Sequence, residues 1–509
     1  MSMGERGADA RRMGRTVIAV AASVVGVQPA LAADLSKIQN IVVIYAENRS
    51  FDHLYGMFPG ANGISKAKRK NYVQRDHDGS VLPHLRVWNS KGEPDPNYPT
   101  MPNKPFRIDE PPVSKSMSDV LISPIHAYYH NIEQINGGRN DMFAAMSTVG
   151  GYTMGYFDGS KMKMWKWAKD YTLADNFFMG AFGGSYLNHQ FLVCACAPEH
   201  KDAPEFMRAV LDDKGKLKKK PDSPSAKDGA VKTYTAGLGG QVTPDGYSVN
   251  TTQPPYQPSG LPPAEGGSPE MADPKGSQRI GLPLPASTMK TIGDTLSAKN
   301  VSWVWYSGGW NEALKDGMRP PSEKRKVIYT RAEGSLNFQP HHQPFNYYAR
   351  FAPGTKDRAE HLKDLSDFEK AIATGALPQV AFYKPAGIHT EHPSYTDVMT
   401  GDAHIADLVE KLSKSPQWKT MLVIVTYDEN GGFWDHVSPP TGKGWGDRWG
   451  PGSRIPAIVV SPFAKRGYVD HTRYDTQSIL KLITRRFDLE PLPGFRSKMG
   501  DLTGALDLR

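Results

Sequence analysis

Five short runs of nearly unbroken apolar residues punctuate the chain: Ile38–Tyr45, Val301–Tyr306, Gln379–Tyr383, Met421–Tyr427 and Ile455–Ser461. Runs of this length without polar alternation predict strands buried on both faces. Helix-like stretches accompany them at Arg358–Ala373, His404–Ser413 and Thr476–Phe487. Strands alternating with helices predict an α/β fold, a mainly parallel central sheet with helices on both faces. Residues 221–285 break the pattern. They hold 12 of the 41 prolines, many Gly and Ser, and almost no apolar periodicity. They form the heart of a Pro/Gly-rich irregular insertion, residues 200–286, and a connection this long is either a lid over a site or disordered.

The first 32 residues carry a different pattern. Arg6, Arg11, Arg12 and Arg15 precede an apolar run from Val17 to Val27, which ends at Ala30-Leu31-Ala32. This is the layout of a secretory signal peptide cut after Ala32, and its apolar run is too short to span a bilayer. Residues 33–509 are then one exported domain, periplasmic or secreted, with the insertion set into it and no later stretch long enough for a membrane span. The Arg11-Arg12 pair leaves the export route, Sec or twin-arginine, open.

Charge changes this picture little. The chain carries 61 Lys+Arg against 53 Asp+Glu, a net +8. Four of the basic and two of the acidic residues lie in the leader, so the mature excess is +6. Two lysine-rich loops, Lys66–Lys70 and Lys214–Lys220, supply much of it. Neither interleaves the aromatic residues that stack on bases, so no nucleic-acid partner is expected. Two cysteines exclude a disulfide framework or a zinc ribbon. Cys194 and Cys196 are expected as separate small buried residues on a helix, because cysteines one residue apart pair only with strain. Cys196-Ala-Pro-Glu-His200 approaches the sulfatase pattern Cys-x-Pro-x-Arg, but His200 stands where the arginine is required.

In open α/β sheets, ligands bind at the carboxyl ends of strands. Two of the predicted strands run into acids: one into Glu47-Asn48-Arg49-Ser50, the other into Asp428-Glu429-Asn430-Gly431-Gly432. Oxygen donors converging from strand ends suit a cation, although a single acid there would serve equally well as a turn cap. The paired glycines would let backbone approach a ligand closely. In Gly183-Gly184-Ser185-Tyr186-Leu187-Asn188-His189, a serine after two glycines suits a nucleophile at a loop-to-helix junction. Helix-start amides there favour an anionic substrate, while the serine alone would read as an N-cap. Leu187 excludes the nucleophile elbow of α/β-hydrolases. His126, His341, His342 and His392 could bond phosphoryl oxygens, protonate a leaving group or bind metal. Spacing alone does not bring them together.

Glu47-Asn-Arg-Ser-Phe-Asp-His53, Gly184-Ser-Tyr-Leu-Asn-His189, His341-His-Gln-Pro-Phe345, His392-Pro and Thr426-Tyr-Asp-Glu-Asn-Gly-Gly-Phe-Trp-Asp-His436 resemble the bacterial phosphoesterase family. That family contains secreted phospholipases C and periplasmic acid phosphatases, and the resemblance runs from about residue 38 to about 490. It implies an alkaline phosphatase-like fold and one metal ion, Ca, Mg, Mn, Zn or Fe, held by Glu47, Asn48, Asp428 and Glu429. It implies Ser185 as the nucleophile of a phosphoserine intermediate, with His126, His341, His342 and His392 around the phosphate. Asn188 and the histidines would hold the equatorial oxygens, whose charge the transition state must spread. Asp435 and His436 are expected to support the site or the fold. If the histidines act as cations, activity should favour acidic pH.

The phospholipase C branch of that family typically has Thr with Asn-Arg in the nucleophile block and His after the Asp-Glu pair. Here Ser185, Asn188-His189 and Asn430 depart from it. The departures favour an acid phosphatase acting on small phosphate monoesters. Phospholipase C acting on phosphatidylcholine-type head groups is the alternative. A catalytically silent exported binding protein is the reading from another class, and the presence of every expected catalytic group opposes it.

Overall fold

The computed structural model describes residues 34–235 and 240–508, so the leader read in residues 1–32 lies outside the described residues. Eight strands form the central sheet: β1 (Asn40–Ala46), β2 (Thr172–Ala174), β3 (Trp303–Ser307), β4 (Leu362–Asp364), β5 (Val380–Lys384), β6 (Met421–Tyr427), β7 (Ala457–Val460) and β8 (Tyr468–Asp470). Their spatial order is β8-β2-β7-β6-β1-β5-β3-β4. Only β7 runs antiparallel to its neighbours, β6 and β2. The remaining pairings are parallel.

Every residue of β1, β5 and β6 is buried. Successive strand side chains point to opposite faces, so such runs require cover on both sides of the sheet. Each Val or Ile fully buried in these strands contributes about 1.5–3 kcal/mol. The helices that matter to the site are α1 (Ser185–Cys194), α2 (Leu365–Thr374), α3 (Val398–Ser413) and α4 (Thr476–Phe487). One hydrophobic cluster takes in residues from Leu35 to Leu506. No helix among the described residues is long and apolar enough to cross a membrane.

Two elements differ from the sequence reading. The helix expected over Arg358–Ala373 is divided into a short helix at Lys356–His361, the edge strand β4, and α2. Asp364 causes the division. Its carboxylate accepts from Ser366 N and forms a reciprocal capping box with Asp367, which starts a new helix. Leu362 is then free to extend and pair with Trp305. The second correction concerns the cysteines. Cys194 and Cys196 form a disulfide with their Cα atoms 5.1 Å apart. Ala195, at the C-cap of α1, takes a left-handed φ of 52° and turns one sulfur toward the other.

The insertion is anchored to the body. Val242, Val249, Tyr256, Leu261 and Leu284 are buried. With little regular structure, its backbone polar groups must find partners elsewhere. Asn346 Nδ2 donates to Tyr256 O and Pro258 O, and Tyr347 Oη donates to Thr252 O.

Asp435 and His436 lie in a buried ion cluster. Arg454 Nε donates to Asp435 Oδ1 at 2.8 Å, and its Nη2 reaches Asp52 Oδ1 at 3.2 Å. His436 Nδ1 lies 2.7 Å from Asp52 Oδ2. Asp52, Asp435 and His436 sit close enough to share a cation, but the Arg454 guanidinium already occupies that role by pairing with both carboxylates. Removing one partner of a buried ion group strands the others, at a cost of about 3–5 kcal/mol. Arg454→Met should therefore lower the urea midpoint substantially, with the denaturant slope unchanged.

Candidate active site

Sheet register builds the site. Ala46 of β1 pairs with Tyr427 of β6, so Glu47 and Asp428 emerge side by side at neighbouring carboxyl ends. On the other flank Ile44 pairs with Tyr383 of β5, which brings Lys384 up to the same edge. Asn48 holds a φ of 62°, which asparagine tolerates better than most residues. Its backbone N donates to Asp428 Oδ1 at 3.0 Å.

Ser185 is the first residue of α1, with Gly184 at the N-cap. Gly183 has a φ of 92°, and a Cβ there would sit 2.6 Å from the Tyr128 backbone. Only glycine allows this approach, and it fixes where the helix begins. Ser185 Oγ can donate to Asn48 Oδ1 at 3.2 Å and to Glu47 Oε1 at 3.3 Å.

Three acids meet here in a buried pocket of the fold, and each has an oxygen that makes no hydrogen bond: Glu47 Oε2, which has the Lys384 ammonium at 3.4 Å, Asp428 Oδ2 and Glu429 Oε1. Their other oxygens are occupied. Asp428 Oδ1 accepts from two backbone amides, and Glu429 Oε2 accepts from Gly431 N. Burial and the Glu47 charge push the Asp428 carboxyl up to about 7, although Lys384 pulls it the other way. Burial and Asp428 raise Glu429 well above the usual carboxylate range. Against the cost of burial, the hydrogen bond from His342 and the Lys384 ammonium hold Glu47 well below it. Hard oxygens with no donor, crowded in low dielectric, fit a divalent cation. Glu47, His342 and Asp428 can also present ligand atoms within one coordination sphere.

The histidines surround this point. His342 Nε2 lies 2.9 Å from Glu47 Oε1, and His392 Nε2 lies 3.8 Å from the same atom. His126 Nε2 is 3.2 Å from Asn48 Nδ2, and His341 Nδ1 is 3.0 Å from Tyr329 Oη. Burial pushes His342 down to about 4 and His392 to about 3, and lowers His126 and His341. Desolvation outweighs the attraction of Glu47 and disfavours the cationic form on which an acidic pH preference depends.

Asn188 does not face the phosphate side. Its Oδ1 accepts from Ala181 N at 2.9 Å, and its Nδ2 donates to the Ala181, Gly183 and Gly184 carbonyls. The amide is used up in holding the loop before Ser185. Gly431 and Gly432 likewise differ from expectation. A Cβ on Gly431 would lie 2.3 Å from Asn48 O, and one on Gly432 would lie 2.5 Å from Ile125 O, so both pack against backbone and not against a ligand.

Lys384 and His189 are members of the site that sequence reasoning missed. Lys384 Nζ, fully buried, lies 3.4 Å from Glu47 Oε2. His189 Nδ1 donates to Ser185 O at 2.7 Å while its ring stacks on His342. A lysine at the carboxyl end of an apolar strand was the available signal for the first.

Glu391 lies just behind the site. Its Oε2 accepts from Tyr427 Oη at 2.9 Å and its Oε1 has no partner. Burial and nearby Asp402 push its carboxyl up to about 8, against the pull of Arg49. A raised acid keeps its proton when folded and loses it when unfolded, so stability falls as pH rises from the unfolded value, near 4.5, to about 8. Glu391→Gln removes this term. Its stability should match the wild type near pH 4.5 and exceed it increasingly up to pH 8, by a few kcal/mol in order of magnitude, read as a widening gap in melting temperature.

A cavity of about 680 Å³ opens over Ser185, lined by His126, His341 and His392 and by residues of the insertion. The model of the Phosphoesterase family matches residues 38–490. Phospholipase C A of Mycobacterium tuberculosis is 24% identical over 510 residues, covering 93% of this chain and 78% of that protein. The non-specific phospholipase C6 of Arabidopsis thaliana is 35% identical over 158 residues, covering 25% of this chain and 30% of that protein. Among solved structures, a protein in the alkaline phosphatase superfamily from Vibrio parahaemolyticus aligns with a TM-score of 0.33 at 9% identity. That alignment covers 69% of this chain and 65% of the other.

Proposed function

Because this chain belongs to the Phosphoesterase family, a family of hydrolases of phosphoric esters, we propose that it is an exported phosphatase that cleaves small phosphate monoesters through Ser185. The observation that carries the reading is Ser185 Oγ at 3.2–3.3 Å from oxygens of Asn48 and Glu47, beside three carboxylate oxygens that make no hydrogen bond. Export rests on the leader pattern in residues 1–32, and residues 33–509 read as one catalytic domain with its insertion.

Glu47, Asn48, Asp428 and Glu429 would hold the metal ion, and when bound it lowers the pKa of a neighbouring hydroxyl and offsets phosphoryl charge. Ser185 Oγ attacks phosphorus as its proton passes toward Glu47 Oε1. The bond to the leaving oxygen breaks, and water later hydrolyses the phosphoserine. His341 Nε2–H donates a hydrogen bond to the leaving oxygen, which takes up its proton from water. Gln253 Nε2 lies 3.0 Å from Tyr329 Oη, which leaves the Tyr329 proton for His341 Nδ1, and His341 then carries its proton on Nε2. His126 Nδ1 and His392 Nδ1 instead donate to carbonyls, so their Nε2 atoms accept.

The names of the relatives favour a second reading, phospholipase C. Ser185, His189 and Asn430 at the branch-distinguishing positions support the monoester. Turnover of p-nitrophenyl phosphate, p-nitrophenylphosphorylcholine and phosphatidylcholine separates the two. The monoester should have the highest kcat/KM, and faster cleavage of either diester would replace this reading with phospholipase C.

A further inference from the structure

The wall of the cavity over Ser185 has an unusual charge. Among the described residues, no Asp or Glu lines it, yet Arg279, Arg325 and Arg331 do. These three arginines are not equivalent. Arg325 Nη2 donates to Leu261 O and Gly317 O, and its Nη1 donates to Ser259 O, so it fastens the insertion and has little left for a ligand. Arg279 is exposed and has no hydrogen-bond or ion-pair partner among the described residues. Arg331, also exposed, makes one long contact, Nη2 to Ser394 Oγ at 3.4 Å, and lies over the Tyr395 ring. Neither has a carboxylate. They come from separate segments, one from the insertion and one from the loop after Tyr329, and they share the cavity that holds Ser185.

A solvated surface arginine is the ordinary reading of either residue alone. Two without carboxylates on the wall of one cavity, with no acid facing them, make a positive field focused on whatever enters. Of the aromatic residues that line the cavity, Phe206, Tyr329 and Tyr395, the last is already engaged. Tyr395 stacks on His392 with ring centroids 3.8 Å apart, and the Arg331 guanidinium covers it at 5.0 Å. A cationic head group on this wall would meet the guanidinium and find no carboxylate among the lining residues.

We propose that the cavity selects phosphate esters whose leaving group carries a second anionic group, with Arg279 and Arg331 as its specificity-determining residues. The proposal rests on the phosphoesterase reading above and names the substrate class for the same site. Planar guanidinium forks suit carboxylate or phosphate, bound outside the reacting phosphoryl group. Because both arginines are exposed, the preference is a moderate one in KM, and it weakens as salt rises.

Two matched pairs test this on the full-length enzyme. 4-Carboxyphenyl phosphate against 4-carbamoylphenyl phosphate changes a carboxylate into a neutral amide of similar shape. Phosphocholine against 3,3-dimethylbutyl phosphate changes a quaternary ammonium into a neutral isostere. The carboxylate should have a KM lower by about three- to tenfold, an advantage that shrinks in high salt. Phosphocholine should bind no better than its isostere. In Arg279→Gln/Arg331→Gln the carboxylate advantage should disappear while kcat on the amide is kept. Equal KM values for the first pair in the wild type, an advantage that survives the double substitution, or a preference for phosphocholine would each overturn the proposal. Absence of turnover on all four esters would instead overturn the phosphoesterase reading and the selectivity with it.

Discussion

Replacing Ser185 by alanine is expected to reduce phosphate-ester turnover by on the order of 10³-fold or more, with no loss of fold. The substitution deletes one oxygen and little else. Ser185 is the first residue of α1, and alanine is the best helix former, so the helix start is kept. The bond that His189 makes there is to the backbone carbonyl of residue 185, which alanine retains. Removal of Oγ frees Glu47 Oε1, which still has His342 Nε2 at 2.9 Å, and takes from Asn48 Oδ1 its serine donor while the Asn48 amide keeps its contact with His126. p-Nitrophenyl phosphate assays beside a thermal melt check both halves. Activity near wild type would move the nucleophile elsewhere, and a large fall in melting temperature would make the loss of activity uninformative.

The second large effect concerns the acids. Removing bound divalent metal with a chelator should abolish activity and lower the melting temperature, and returning the ion should restore both. The carboxyl of Asp428 is pushed up to about 7 by burial, and Glu429 is raised as well, so a metal-free site takes up protons to limit repulsion. Binding the ion displaces those protons, and affinity therefore weakens as pH falls. A ligand present at about 100 times its Kd stabilises the folded state by about 2.7 kcal/mol. Asp428→Asn takes away a charge and an unpartnered oxygen from the cluster. Its melting temperature should respond to added ion far less than that of the wild type. An unchanged response would exclude Asp428 as a ligand.

Much of this site was legible because strand ends can be read without tertiary information. Glu47 and Asp428 each follow a buried seven-residue strand with six apolar positions, and sheet physics places ligands at that edge. Ser185 was legible because Gly183 and Gly184 precede it. What the sequence hid depends on register and on long-range packing. Lys384 belongs to the site only because β5 lies beside β1, and a lysine after an apolar strand otherwise reads as solvated. Tyr329 and Tyr395 reach the histidines from separate loops, with no periodic signal in either. Asn188 illustrates the opposite error. Its place one turn after the serine suggested a phosphate contact, but the nearest unsatisfied groups were loop carbonyls, and those took the amide. The disulfide was missed because the turn at Ala195 depends on a backbone angle that composition does not reveal. The insertion had no periodicity, yet it is anchored by side chains of the body.

The most direct test of the account is to trap the intermediate. The enzyme, mixed with p-nitrophenyl phosphate and quenched in acid within a turnover, should yield a peptide containing Ser185 that is heavier by one phosphoryl group, and that peptide should be unmodified in Ser185→Ala. Steady turnover with the phosphoryl group on another residue, or on none, would contradict it.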